Sequence, residues 1–128
     1  MSTIRLLYID DEPDIREIAV FSLEMDPELE IQSCESGQQA LALIPQWKPD
    51  IILLDVMMPD MDGPTTLGHI RDLPGCATIP VVFITARAQQ DYVQTLLEMG
   101  AVGVIAKPFD PISLPDQVRN FLPPNSAN

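Results

Sequence analysis

The sequence predicts a doubly wound α/β domain: five parallel strands in the order 2-1-3-4-5, with helices on both faces. Three observations carry this. Short β-rich runs alternate without a break with helical patterns, giving five βα units joined by short links. Three of the runs, Ile4-to-Ile9, Ile51-to-Leu54 and Val81-to-Ile84, are nearly continuous in apolar residues, as strands covered on both faces must be. The run Leu29-Glu30-Ile31-Gln32-Ser33 instead alternates, which marks a half-exposed edge strand and selects the flavodoxin-like winding.

In order, strands are expected near 4–9, 29–34, 51–55, 80–85 and 102–106, and helices near 13–25, 37–47, 64–72, 88–99 and 114–122. Pro13 suits a first helical turn, where its missing N–H costs nothing. Ser36-Gly37-Gln38-Gln39 reads as a capping box, and Ala40, Leu43, Ile44 and Trp47 then follow at the spacing of one helical face. Gly63-Pro64 opens the third helix, and Gly75 follows its end. After Pro111, the final helix is expected to start late, capped by Ser113 with Asp116 three residues on, so that Pro115 falls in its first turn. Leu114, Val118, Phe121 and Leu122 then share a face. The domain is expected to span 1–122, with 123–128 a polar, breaker-rich, flexible tail.

Composition narrows the function. The 128 residues, 46% hydrophobic, suffice for one domain with its own core. The formal charge of −12, from 19 acids against 7 bases, disfavours direct contact with nucleic acid or an anionic membrane. No apolar stretch approaches the ~20 residues of a membrane span, and no signal-like segment opens the chain, so the cytoplasm is the expected compartment. Cys34 and Cys76 lack metal spacing and read as reduced thiols. His69, the single histidine, reads as a solvated helix residue, Trp47 as packing at the sheet end away from the acids, and Met57, Met58 and Met61 as loop packing.

The chemistry gathers at the carboxyl ends of the strands, where open α/β sheets place their ligands. The first strand runs into Asp10-Asp11, the third ends in Asp55, the fourth in Thr85 and the fifth in Lys107. Two charges ~4 Å apart at an effective dielectric of 20 repel by about 4 kcal/mol, so such crowding needs a cation. Carboxylates suit Mg2+ (or Mn2+ in its place), which keeps waters and phosphate oxygens as its other ligands. Asp55 is placed to attack phosphorus and form an acyl phosphate, with the cation and Lys107 compensating charge. Thr85 can donate to a phosphoryl oxygen, and Ala86 is small enough to admit the group.

Four motifs, Asp10-Asp11, Asp55-to-Gly63 (D-x-x-M-P-x-M-D-G), Thr85-Ala86 and Lys107-Pro108-Phe109, together resemble the receiver domains of bacterial response regulators over residues 4–122. The resemblance implies that Asp55 is the phospho-acceptor and that Asp11, Asp55 and the Met57 carbonyl ligate magnesium, with Asp10 assisting partly through water. It implies that Thr85 and Lys107 bind the phosphoryl group and transmit the switch, and that Lys107–Pro108 is cis. Phosphoryl donors would be a sensor histidine kinase or a histidine phosphotransfer protein, and the output a contact with a downstream protein. The protein would not be a turnover enzyme. Two departures stand out. Val104 occupies the switch position, three residues before the lysine, where the family often has an aromatic, so coupling to partners through the late helices is expected to be reduced or unusual. Met57 and Arg87, two residues beyond Asp55 and Thr85, cannot orient a hydrolytic water, so the acyl phosphate is expected to be long-lived. Alternatives are a phosphorylation-independent interaction module, a receiver fragment of a larger regulator, and an aspartate-nucleophile phosphohydrolase, which Met57 argues against.

Overall fold

A computed structural model describes residues 3–122; the expected flexible tail, 123–128, lies outside the described residues. Strands β1 (Ile4–Ile9), β2 (Leu29–Cys34), β3 (Ile51–Asp55), β4 (Val81–Thr85) and β5 (Gly103–Ala106) form one parallel sheet in the order β2-β1-β3-β4-β5. They alternate with α1 (Pro13–Leu23), α2 (Gly37–Trp47), α3 (Gly63–Asp72), α4 (Gln90–Glu98) and α5 (Leu114–Phe121). The predicted winding is therefore the observed one. β3 and β4 are buried at every residue, whereas β2 exposes Glu30, Gln32 and Ser33, as an edge strand does.

Strand alternation divides the core in two. Leu6, Tyr8, Ile51, Leu53, Val82, Ile84 and Ile105 face α1 and α5, where they meet Ala19, Leu23, Leu114 and Val118. Leu7, Ile9, Ile52, Leu54, Val81 and Phe83 face α2, α3 and α4, where they meet Ala40, Ile44, Leu67, Ile70 and Leu96. Burying each Leu, Ile, Val or Phe contributes roughly 1.5–3 kcal/mol, so this double layer dominates the stability that holds the strand ends in register.

Helix ends largely follow their sequence signals. Ser36 accepts the Gln39 N–H at 3.1 Å, while the Gln39 side chain reaches back to the Glu35 N–H at 3.0 Å, one residue earlier than a standard capping box. Asp62 caps α3 by accepting the Thr65 N–H at 2.8 Å. Gly75 takes a positive φ of 77°, but in the turn after Pro74, since α3 already stops at Asp72 with an extended Leu73. α1 ends two residues early: its last turn closes through Met25 N–H to Ser22 O and Asp26 N–H to Leu23 O, and Pro27 follows.

The cap expected for α5 does not form. Ser113 precedes the helix, but its backbone is already helical, so its hydroxyl cannot turn back to the Asp116 N–H. Asp110 takes the task instead. Its carboxylate accepts the Ile112 N–H at 3.0 Å, and its carbonyl accepts the N–H groups of Ser113 and Leu114. The late start survives this correction, with Leu114 and Val118 fully buried and Phe121 and Leu122 packed beside them. Arg119 anchors α5 by donating to both Asp26 oxygens at 2.9 and 3.1 Å and to Glu28 at 2.5 Å.

The tryptophan, histidine and cysteines lie away from the strand ends or within the core, or face solvent. Trp47 lies at the opposite sheet end, with the Arg5 guanidinium 5.3 Å from its ring centre, and His69 is exposed. Both cysteines are free and buried, and burial pushes the Cys34 thiol up to about 11 against the opposing pull of Arg16. Among the described residues no helix is long and apolar enough to cross a membrane.

Candidate functional site

β1, β3 and β5 end at one rim, and alternation turns their last side chains toward the α1/α5 face. Asp10 follows Tyr8 on that face, Asp55 follows Leu53, and Lys107 follows Ile105. The result is an ion cluster built from segments nearly a hundred residues apart. Asp10, Asp11 and Asp55 each present an oxygen within 4.8 Å of the others. The Lys107 Nζ lies 3.0 Å from Asp10 Oδ2, 2.9 Å from Glu12 Oε1 and 3.4 Å from Asp55 Oδ2. Asp10 and Asp55 are buried, and Asp11 is half-buried at the lip.

The surroundings of Asp55 oppose its ionisation. Burial pushes the Asp55 carboxyl up and the neighbouring Asp10 charge adds to this. Lys107 offsets part, leaving it at about 7. Lys107 is itself pulled down by burial, but its contacts with Glu12, Asp10 and Asp55 outweigh that and hold it firmly protonated. One ammonium is thus shared among three carboxylates, with Asp11 left outside its reach as a fourth acid. Hard oxygen donors in excess of the available positive charge are what a small divalent cation requires, so Asp10, Asp11 and Asp55 fit Mg2+ or Mn2+.

The other expected residues surround this cluster unevenly. Thr85 is buried at the neighbouring strand end, and its Oγ1 accepts the Arg87 N–H at 3.0 Å, so the hydroxyl is engaged with its own loop. Ala86 is exposed and lines a surface hollow of about 620 Å³ with Arg87, Ala88 and Gln89. The Met57 side chain is 75% exposed, so the expectation of loop packing fails for it. It holds for Met58, which is buried, and for Met61, whose sulfur borders Gly37 at the start of α2. Val104 is half-buried on the α2/α3/α4 side, in the same cluster as Leu96 and Tyr92 of α4. Phe109 packs on the opposite cluster, and the Lys107–Pro108 bond is cis.

Two acids have assignments that the sequence did not disclose. Glu12 occupies the N-cap position of α1 but leaves the helix uncapped, because its carboxylate goes to Lys107. Asp62, within the long motif, is occupied by its α3 cap. Three further residues frame the site. The Arg16 guanidinium donates to the Asp10 carbonyl at 2.7 Å. The Tyr8 hydroxyl, fully buried, donates to Asp10 Oδ2 at 3.0 Å. Gly63 lets α3 start against the backbone of β3: a Cβ there would stand 2.5 Å from the Asp55 carbonyl and 2.9 Å from Val56 Cα. Tyr8 was readable as a polar atom two residues before the acid on the same strand face; Glu12 and Arg16 carry no such signal.

Known proteins are similar to this chain in sequence and in fold. The response regulator receiver domain model matches residues 6–119. An uncharacterized 14.6 kDa protein in the sodA1 3'region of Leptolyngbya boryana is 32% identical over 94% of this chain and 92% of its own length. The DNA-binding dual master transcriptional regulator RpaA of Synechocystis is 38% identical over 92% of this chain, which spans 48% of that protein. The structure of the chemotaxis response regulator CheY4 of Vibrio cholerae superposes with a TM-score of 0.87 at 27% identity, covering 94% of this chain and all of the other. With the five-stranded winding and the acid-and-lysine rim already in place, the match over most of its length means that this chain belongs to the response regulator receiver domains of two-component signalling.

Proposed function

We propose that Asp55 accepts a phosphoryl group from the phosphohistidine of a sensor histidine kinase or a histidine phosphotransfer protein, and that the acyl phosphate alters a surface read by a downstream protein. The carrying observation is Asp55 itself: a buried carboxylate, 3.4 Å from the Lys107 ammonium, within a cluster of acids that has too little positive charge. In the transfer, an Asp55 Oδ–P bond forms as the N–P bond breaks and the imidazole nitrogen keeps the electron pair. Asp11, Asp55 and the Met57 carbonyl would hold Mg2+ or Mn2+, with Asp10 assisting. A cation bound there supplies positive charge to the phosphoryl oxygens and relieves the repulsion among the carboxylates.

The remaining steps belong to the side chains. Lys107 would exchange one of its carboxylate partners for a phosphoryl oxygen, and the Thr85 hydroxyl would leave the Arg87 N–H to donate to another. Exposed Ala86 leaves room for the group. Residues 1–122 would form the whole receiver, acting in the cytoplasm through protein contacts and not as a turnover enzyme, with neither nucleic acid nor membrane as a direct partner. Val104, half-buried against α4, favours one alternative: a module whose partner contacts depend little on phosphorylation.

Acetyl phosphate with Mg2+ tests the reading. The expected product is a stoichiometric adduct, stable in acid and labile in base, that is lost in Asp55→Asn. No adduct would favour the phosphorylation-independent module, and continuous release of phosphate would favour a hydrolase.

A further inference from the structure

Tyr8 stands where the core needs only an apolar side chain. It lies on β1 between β2 and β3, paired with Ser33 and Leu53, and its ring is fully buried in the cluster beneath α1 and α5. Phenylalanine would fill the same space without bringing a hydroxyl into the interior, where an unpaired one costs roughly 1–3 kcal/mol. The hydroxyl is not unpaired: it meets Asp10 Oδ2 at 3.0 Å. That same oxygen takes the Lys107 ammonium at 3.0 Å, and the other, Oδ1, takes the Glu12 N–H at 3.0 Å. Asp10 is thereby held by three donors from β1, the α1 entry and the segment after β5. Asp11 makes none of these contacts, and Asp55 shares only the longer one to Lys107 at 3.4 Å.

We infer that Tyr8 is a positioning residue that fixes Asp10 as the counter-charge of Lys107 and withholds it from direct cation ligation, leaving Asp11 and Asp55 as the open carboxylates. The reasoning is competitive. A lone pair committed to a buried hydroxyl is unavailable to a metal ion, and a hydrogen bond to a charged oxygen is among the stronger ones in proteins. Removing the hydroxyl frees Asp10 in two ways: its Oδ2 becomes a better cation ligand, and it grips Lys107 more tightly. The first strengthens metal binding. The second slows the lysine's move toward a phosphoryl group. Opposite changes in the two quantities identify the role, since a merely structural loss would weaken both.

The test is Tyr8→Phe, which keeps the ring, measured by calorimetric titration of Mg2+ into the metal-free protein and by the rate of labelling with acetyl phosphate at saturating Mg2+. Expected are Mg2+ binding about threefold to tenfold tighter and labelling about tenfold slower, the size of a typical lost hydrogen bond. The Mg2+-dependent rise in Tm should be larger in the variant than in the parent, as tighter binding to the folded state requires. In an Asp10→Asn background the same substitution should leave Mg2+ affinity unchanged, because the group through which Tyr8 acts is no longer a carboxylate. Unchanged or weakened Mg2+ binding in Tyr8→Phe, or an equal effect in the Asp10→Asn background, overturns the inference. Only the labelling arm rests on the phosphoryl-acceptor reading. A parent protein that binds Mg2+ but is not labelled refutes that reading, while the titrations still decide the role of Tyr8; a parent that binds no Mg2+ refutes both.

Discussion

Asp55→Asn should stabilise the metal-free protein at pH 8, although it removes the proposed phosphoryl acceptor. Asp55 is 4% exposed, and its carboxyl is displaced from 3.8 to about 7 by burial and by Asp10, net of the relief from Lys107. About three pH units at 1.36 kcal/mol each is about 4 kcal/mol, the cost of ionising the group in the folded state relative to the unfolded chain. Asn keeps the shape and stays neutral, as protonated Asp55 does, and the attraction of Lys107 is already contained in that figure, so the net gain expected is about 4 kcal/mol. The sign with pH follows from linkage. Asp55 has a raised folded-state pKa, so its contribution is fully present below about 3.8 and is lost as pH rises through about 7. Urea unfolding of both proteins in EDTA should therefore show equal stability near pH 4, a gap opening between pH 4 and 7, and a plateau above. Comparing the two proteins cancels the other acids, including Asp26, which the Arg119 hydrogen bond holds below the usual carboxylate range. Mg2+ at about a thousand times its Kd should close the gap, since it adds about 4.1 kcal/mol to the protein that binds it. If Asp55→Asn is the less stable protein in EDTA at pH 8, the Lys107 contact outweighs the repulsion and the claim of a strained acid cluster fails.

Three other outcomes are expected. Gly63→Ala drives a Cβ into the Asp55 carbonyl and Val56 Cα, and should cost roughly 1–3 kcal/mol in urea unfolding while slowing acetyl phosphate labelling. Asp62→Ala should cost about 1 kcal/mol through the lost α3 cap and leave Mg2+ affinity by calorimetry unchanged, which separates this acid from the three at the rim. The acyl phosphate should decay over minutes or longer once donor is removed. Met57 carries no group to orient water, and the Arg87 guanidinium is engaged 4.4 Å from the Tyr92 ring centre and with Gln89 Oε1; loss within seconds would refute this, and Met57→Asn should shorten the lifetime several-fold.

Much of this was legible because burial on both sheet faces writes itself into the chain. The apolar runs of β1, β3 and β4 and the alternation of β2 suffice to order the sheet, and the order brings Asp10, Asp55 and Lys107 to one rim. What escaped was set by contacts across the fold. The α5 entry turned on Asp110 rather than Ser113, because the Asp110–Ser113 turn had already adopted helical backbone. α1 stopped short because its last turn folds into the loop that Arg119 clamps through Asp26 and Glu28. Glu12 looked like an ordinary helix-start acid, yet its carboxylate serves Lys107 from 95 positions away. Tyr8 was counted among apolar residues, since its ring fits the run; only its hydroxyl, aimed at Asp10, distinguishes it.

Reductive trapping tests the central claim most directly. Protein treated with acetyl phosphate and Mg2+ is reduced with borohydride, which converts an aspartyl phosphate to homoserine, and its peptides are mapped by mass. Homoserine at position 55 alone, absent when Mg2+ is replaced by EDTA, is the expected result. Aspartate retained at 55, or homoserine at Asp10 or Asp11 instead, would contradict the assignment of the phosphoryl acceptor.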